Sequence, residues 1–403
     1  MKKEDFFADA RRDLNGPLDG LVVVEATTTW AGPMAGCLLA DLGATVIKIE
    51  HPEGEVLRRL PPFVAGTRLS VLHEVVNRNK QNLSLSLKAA EGRDIFLKIC
   101  ATADVVIENF KPGTMANWGV GYADVKRVKP DIVYISISGF GQFGPNSERA
   151  GYDPIAQNFT GWSSLNGGPG TGPTKAPTFL ADDFAGAHGA MAALAALRHR
   201  DRTGEGQHVD IALVDSLLFQ SNGQLTISAL GMTTEKWGNQ FAMVAPQNVY
   251  ACTDGHVYTG VLLDSHWRAF CEHSARDDLA DLNSLQRIAR RDELDGVLSA
   301  WCATRTTQAV TDTMNHLGLA VTRVNTFRDA AEDAHVQARD MLQPTELAGG
   351  AQAPLTGPAA KFSRTPTSVR HAAPAIGAQS DEILTRLGYS QAEIIALREH
   401  KIV

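Results

Sequence analysis

Residues 21–50 read LVVVEATTTWAGPMAGCLLADLGATVIKIE, and this stretch decides the fold. Residues 21–25 (LVVVE) form a short apolar run rich in β-branched side chains, which fits a buried strand. A break at Gly32 and Pro33 follows, then residues 34–44 (MAGCLLADLGA) as a helix and residues 45–50 (TVIKIE) as a second strand. Parallel neighbours cannot be joined by a tight hairpin, so a helix between two such strands marks the βαβ unit of a parallel sheet.

The same alternation continues outward. Residues 91–101 read as a helix, 104–107 and 131–138 (DIVYISIS) as strands, 183–198 as a helix and 207–213 (QHVDIAL) as a strand. The Gly-, Pro- and Ser-rich residues 163–177 interrupt the series as a long loop. From about Asp215 the pattern changes to longer helical stretches such as 279–303 around a hairpin, VYACTDGHVYTGV, whose turn is expected at Asp254–Gly255. Residues 344–374, rich in Pro, Gly, Ala and Thr, read as extended, and short helices at 381–387 and 391–399 follow. The expectation is an α/β protein with a Rossmann-like parallel-sheet domain at 1–224 and 331–403 and a smaller α+β domain at 225–330.

The chain has 403 residues, 44% hydrophobic and 21% charged, with a net charge of −7, so a nucleic-acid footprint is not expected. An anionic ligand must then be held by local cations and backbone N–H groups. The five cysteines are widely spaced and odd in number, which fits a reduced, cytoplasmic chain rather than a disulfide framework. The opening MKKEDFFADARRD has no apolar leader core, and no apolar run is long enough to span a bilayer, so no membrane partner is expected.

Several motifs fail on inspection. The first strand–helix turn, ATTTWAGPMAG, lacks the G-x-G-x-x-G of a dinucleotide site. GGPGTGPTK at 167–175 lacks the G-K-[ST] ending of a phosphate loop. With no H-E-x-x-H, no clustered Cys and His and no G-x-S-x-G, no metal site and no serine nucleophile are expected. Three places stay open to two readings each. Asp182 and Asp183 precede FAGAHGAMAALAAL, so either can cap that helix, yet its small residues also leave room for close approach. Asn109 and Phe110 follow a strand directly, where open α/β sheets bind ligands, although Pro112–Gly113 makes a plain turn there too. Residues 77–80 (NRNK) suit a solvated loop or a phosphorylated ligand.

Taken in order, LDGLVVVEATTTWAGPMAGCLLADLGATVIKIEHPEGE, NRNKQNLSLSL, ADVVIENFKPGTMANWG, SISGFGQFGP, GYDPIAQ, ADDFAGAHGAMAALAAL, TGEGQHVDIAL and LGYS resemble the class III CoA-transferase family over nearly the whole chain. The resemblance implies transfer of CoA between carboxylic acids through an aspartyl mixed anhydride and an aspartyl-CoA thioester. It places the nucleophile at Asp182, with Asp183 as the adjacent alternative, and gives the helix N-terminus a role in stabilising acyl-oxygen charge. CoA-contacting positions carry over to Thr29, Trp30, Ala31, His51, Asn79, Lys80, Asn109 and Phe110. No tightly bound cofactor is implied, because the coenzyme A thioester is a substrate. Asn117 and Ser138 replace basic residues of the family pattern, so Arg58, Arg59, Arg78 or Lys111 are expected to supply phosphate contacts.

The resemblance further implies an interlocked dimer, as a homodimer or as a heteromer with a homologous subunit. No glycine run occurs around residues 233–246, which argues against formate and oxalate, while Trp30, Phe63 and Trp162 hint at a bulky acid. The chain is most similar to the succinyl-CoA:(R)-benzylsuccinate branch, built from two related subunits. Two alternatives are an α-methylacyl-CoA racemase and a CoA-binding partner subunit without activity of its own. A racemase needs a His in a G-H-D-x-x-Y motif, where this chain has Tyr152, a poor base near neutrality.

Overall fold

A computed structural model describes all 403 residues, Met1–Val403. The chain divides into two compact units, one formed by Met1–Trp162, Lys175–Thr226 and His335–Val403, the other by Ser163–Thr174 and Ile227–Ala334. No helix is long and apolar enough to cross a membrane.

The larger unit is built on β1 (Val22–Ala26), β2 (Thr45–Glu50), β3 (Lys80–Ser84), β4 (Val105–Glu108), β5 (Val133–Ser138) and β6 (His208–Ala212). They form one parallel sheet in the order β3-β2-β1-β4-β5-β6. Val24 of β1 sits opposite Ile47 on one side and Val106 on the other. Alternation of side chains splits the core between the two faces. Val23, Val46, Ile107 and Ile135 pack on α1 (Ala31–Asp41) and on the long helix Leu180–Thr203. Val24, Ile47, Ile49 and Val106 pack on the helix Ala90–Cys100 and on the C-terminal helices Ser380–Arg386 and Gln391–Glu399. Both faces are covered, which is why the central strands β1 and β4 are rich in valine and isoleucine on both sides. The fold is therefore α/β with a Rossmann-like sheet, and the strand order reverses between β1 and β4.

The smaller unit carries a three-stranded antiparallel sheet of Gln247–Cys252, Gly255–Gly260 and Val321–Arg323. It packs on helices through Trp267, Phe270, Leu298, Trp301 and Met314. Its hairpin turns one residue earlier than expected, because Cys252 and Gly255 are still paired. The turn is Thr253–Asp254, and the Asp254 carboxylate instead accepts from the Thr307 backbone N–H at 2.7 Å. The expected long helix over 279–303 is broken in two, since Asn283 and Gln286 cap a separate helix, Ser284–Ala289, ahead of Arg291–Ala303. The tail expected to be extended contains a hairpin of its own, Leu342–Glu346 paired with Gln352–Thr356.

The helix expected from residue 183 begins at Leu180. Its residues are small because another helix lies against it. A Cβ added at Gly186 would stand 2.8 Å from Met34 Cβ, and one at Gly189 would stand 3.0 Å from Ile137. The room that the sequence suggested for a ligand along this helix is filled by α1 and by the sheet.

Candidate active site

In an open α/β sheet, ligands bind beyond the carboxyl ends of the strands where the order reverses. Here that point lies between β1 and β4, whose chains run on into residues 27–30 and 109–112. The two turns are clamped together. Asn109 Nδ2 donates to the Thr28 carbonyl at 2.8 Å, and Asn109 Oδ1 accepts from the Thr28 N–H at 2.9 Å. Thr29 occupies the left-handed region at φ 68°, a conformation that a β-branched residue adopts only when its surroundings enforce it. Gly32 follows because a Cβ there would meet Asn109 Cγ at 2.8 Å.

Three carboxyl groups converge at the start of the helix Leu180–Thr203. Asp153 comes from the helix Asp153–Phe159; its Oδ1 accepts from the Ala181 N–H at 2.8 Å, and its Oδ2 accepts from Gln157 at 2.8 Å. It therefore caps the helix Leu180–Thr203 from another element, and neither Asp182 nor Asp183 is the N-cap. Asp183 Oδ1 accepts from the Trp30 indole N–H at 2.6 Å. The Asp182 carboxylate has neither role. Burial, then the nearby Asp153 and Asp183 carboxylates, push its pKa from 3.8 up to about 7. Burial also raises the Asp183 carboxyl, while the Trp30 hydrogen bond opposes that rise.

Asp182 lines a cavity of about 300 Å³ together with Thr28, Thr29, Trp30, Ala31, Asn109, Phe110, Lys111, Arg149 and Tyr152. Asp183 does not line it. A buried carboxyl at the wall of such a cavity can attack an electrophile as its carboxylate, and Lys111 and Arg149 place positive charge on the same wall. The first-turn N–H group of Ala181 is taken by Asp153, so the helix N-terminus is less available to an acyl oxygen than the resemblance implied.

Of the expected CoA-contacting residues, Thr29, Trp30, Ala31, Asn109 and Phe110 share this cavity. His51 lines an adjoining cavity of about 250 Å³ with Thr28, Lys88, Phe110 and Trp118, so Thr28 and Phe110 border both. Asn79 and Lys80 stand elsewhere. They begin β3, at the amino end of the sheet, whereas the cavity lies beyond the carboxyl ends. Lys80 is fully buried and its Nζ pairs with Glu25 at 2.7 Å and donates to the Pro33 carbonyl at 2.8 Å. Asn79 binds the chain's own C-terminal segment, accepting from the Arg370 N–H at 2.7 Å and donating to the Ser368 carbonyl at 2.9 Å. Both residues are thereby withdrawn from the ligand-contacting set.

Among the substitute cations, Arg58 is paired with Glu50 at 2.7 Å and Arg78 with Asp41 at 2.5 Å, Arg59 donates to the Glu53 carbonyl at 2.9 Å, and Lys111 alone reaches the Asp182 cavity. Phe63 and Trp162 do not line it either; the Trp162 indole donates to the Leu217 carbonyl at 3.0 Å. Arg149 and Lys88 were missed in the sequence reading. Each is a lone cation in an otherwise ordinary loop, and only the folded chain brings them to a cavity.

Known proteins similar to the chain identify its family. The chain is 36% identical to succinyl-CoA:mesaconate CoA-transferase of Haloarcula hispanica, covering 93% of this chain and 97% of that protein. It is 32% identical to the succinyl-CoA–L-malate CoA-transferase beta subunit of Chloroflexus aurantiacus, over 96% of this chain and 98% of that one. Among solved structures, a CAIB/BAIF family protein from Brucella suis superposes with a TM-score of 0.83 at 32% identity, covering 93% of this chain and 100% of that chain. The model of CoA-transferase family III matches residues 18–380. With a family match over most of its length and relatives above 30% identity, the chain belongs to CoA-transferase family III and is a CoA-transferase.

Proposed function

We propose that this enzyme moves CoA from succinyl-CoA to another dicarboxylic acid, with Asp182 as the covalent nucleophile. The observation that carries the nucleophile is the asymmetry of the three carboxyl groups: Asp153 caps a helix, Asp183 is bound by Trp30, and Asp182 alone faces the cavity. The Asp182 carboxylate attacks the thioester carbonyl, the C–S bond breaks, and a mixed anhydride and CoA thiolate result. The thiolate attacks the aspartyl carbonyl of the anhydride, releasing the donor acid and leaving an aspartyl-CoA thioester. The acceptor carboxylate then attacks that same carbonyl and expels the thiolate, which returns to the acceptor's acyl carbon and frees Asp182. Each step exchanges one acyl bond for another, so no redox partner and no net proton is needed.

The donor is inferred from the two relatives, succinyl-CoA:mesaconate and succinyl-CoA–L-malate CoA-transferase, whose donor is succinyl-CoA. Their acceptors, mesaconate and L-malate, are dicarboxylates. Benzylsuccinate, the acid expected from sequence, belongs to the same class with an added aromatic ring, and Trp30 is the one of the three expected aromatic residues on the cavity wall. Lys111 and Arg149 suit the phosphates of CoA or the second carboxylate. The working assembly is proposed as an interlocked dimer, of two copies or with a homologous subunit. Presence of Asp182 favours a catalytic rather than a merely supporting chain. Tyr152 on the cavity wall, in place of an imidazole base, disfavours racemisation.

Incubation with succinyl-CoA, hydroxylamine trapping and peptide mapping tests the mechanism. Hydroxamate at Asp182 is expected; modification at Asp183 alone, or none, rejects the assignment. A panel of mesaconate, malate, glutarate and benzylsuccinate as acceptors then ranks the acids, and no turnover with any dicarboxylate rejects the proposed class.

A further inference from the structure

Beneath the 27–33 segment lies a group of ionised side chains that the reaction does not use. Glu25, Lys48 and Lys80 are each 0% exposed and Glu55 is 5% exposed. Lys48 Nζ lies 3.2 Å from Glu25 and 3.1 Å from Glu55, and Lys80 Nζ lies 2.7 Å from Glu25. A buried ionic group of this kind is costly to desolvate, and apolar residues of equal volume often serve stability as well or better. What it holds is more specific. Lys48 donates to the Thr27 carbonyl at 3.1 Å, Glu25 accepts from Thr27 Oγ1 at 2.6 Å, Glu55 accepts from the Thr29 N–H at 2.8 Å, and Lys80 donates to the Pro33 carbonyl at 2.8 Å. Every anchor falls on the segment that lines the Asp182 cavity or starts α1. A Cβ at Gly36 would collide with Glu25 Oε2, so α1 is seated directly on this group.

We propose that the buried Glu25–Lys48–Glu55–Lys80 group is the positioning device of the active site, acting through the Glu55 carboxylate on the Thr29 N–H. Thr29 is the residue held at positive φ, and Trp30, next along the chain, carries the hydrogen bond to Asp183. The contact thus sets the place of the indole, and through it the carboxyl group beside Asp182. Burial opposes the charge on Lys48, but Glu55 and Glu25 outweigh it and keep the ammonium protonated across the working pH range. None of the four is a catalytic residue in this scheme; Glu55 is the positioning residue. The inference rests on the assignment of Asp182 made above.

The test compares Glu55→Met, which keeps the volume and removes the acceptor, with Glu55→Gln, which keeps an acceptor oxygen for Thr29. For Glu55→Met, kcat is expected to fall by roughly 10²-fold, the cost typical of displacing a site by about 1 Å, while KM for acyl-CoA changes by less than about 5-fold. Glu55→Gln is expected to recover at least about 5-fold of that loss, since its one acceptor oxygen can still take the Thr29 N–H although its amide donors then face Lys48. Wild-type kcat in Glu55→Met, or equal damage in both variants, overturns the proposal. Hydrogen exchange on the unmodified protein provides a check that needs no variant: the Thr29 amide should exchange as slowly as the β1 amides, and rapid exchange overturns it as well. The two assignments fail separately, because activity surviving in Asp182→Asn rejects the nucleophile whereas undiminished Glu55→Met rejects the positioning role.

Discussion

Residues 27–30 and residues 77–80 are both polar turns beside a strand of the same sheet, and each holds one non-glycine residue at positive φ, Thr29 at 68° and Asn79 at 63°. The first leaves the carboxyl end of β1, opens on the Asp182 cavity, and has its backbone held by Asn109 and Glu55. The second enters the amino end of β3 and is closed by the chain itself: Asp41 takes Arg78, Glu25 takes Lys80, and the backbone at Arg370 and His371 takes the Asn79 amide oxygen. By composition the second turn is the better anion site, with two cations to none. Direction along a parallel strand outweighs composition, because only the carboxyl ends frame the crevice.

The sharpest test of that contrast is at the first site. Asp182→Asn is expected to lower transfer by at least about 10⁴-fold, or more than about 5 kcal/mol of barrier, as loss of a covalent nucleophile does. Asp183→Asn should cost far less, and equal losses in steady-state kinetics would erase the distinction between the two carboxyls. At the second turn the expected damage is to stability. Lys80→Ala leaves Glu25 buried with Lys48 as its remaining cation, and denaturant unfolding should show a loss of about 3–5 kcal/mol. Asn79→Ala leaves two backbone N–H groups without their acceptor, for about 1–3 kcal/mol, with KM for acyl-CoA unchanged in the folded protein. A rise in that KM would return Asn79 to the binding surface.

Acidity gives the smallest effect and a signed one. With Asp182 as the proposed nucleophile, attack needs its carboxylate, so kcat/KM for the free enzyme should climb as pH rises through about 7 and level off above. Stability runs the other way. The folded chain holds this proton up to about 7 while the unfolded chain releases it near 3.8, so between those values folding favours the protonated form and stability declines with rising pH. Asp182→Asn should remove that decline: its thermal midpoint relative to wild type should rise from pH 4 to pH 7 and be flat below. A difference that does not change with pH would mean that Asp182 titrates as an ordinary carboxyl.

What could be read from sequence was whatever lies within one supersecondary unit. The β1–α1–β2 unit was legible from its apolar runs and Gly–Pro break, and Asn109 and Phe110 from their place directly after a strand. Lys80 was not, because its partner Glu25 is on another strand and nothing local distinguishes a buried lysine from a solvated one. Nor was the cap on the helix Leu180–Thr203, since Asp153 reaches Ala181 from a separate helix. Small residues around Gly186 were visible, but their meaning depended on α1 being the neighbour. Arg149 had no local signal at all. Pattern reports on periodicity and strand ends, whereas ion pairs and caps are settled between elements distant in the chain.

The open edge of the sheet carries one more consequence. β3 is the outermost strand on its side, and its outward groups are met by the C-terminal segment: Gln379 Oε1 and Ser380 Oγ accept from the Asn82 and Ser84 N–H groups, and Asn82 Oδ1 accepts from the Gly377 N–H. During synthesis the chain emerges from its N-terminus, so β3 exists as an uncovered edge while nearly three hundred later residues are still being made. A stretch made much later, residues 377–380, is the one that meets it. For a nascent chain this makes synthesis of residues 377–380 a protective step, and a ribosome stalled before them would hold an adhesive strand that the folded protein covers.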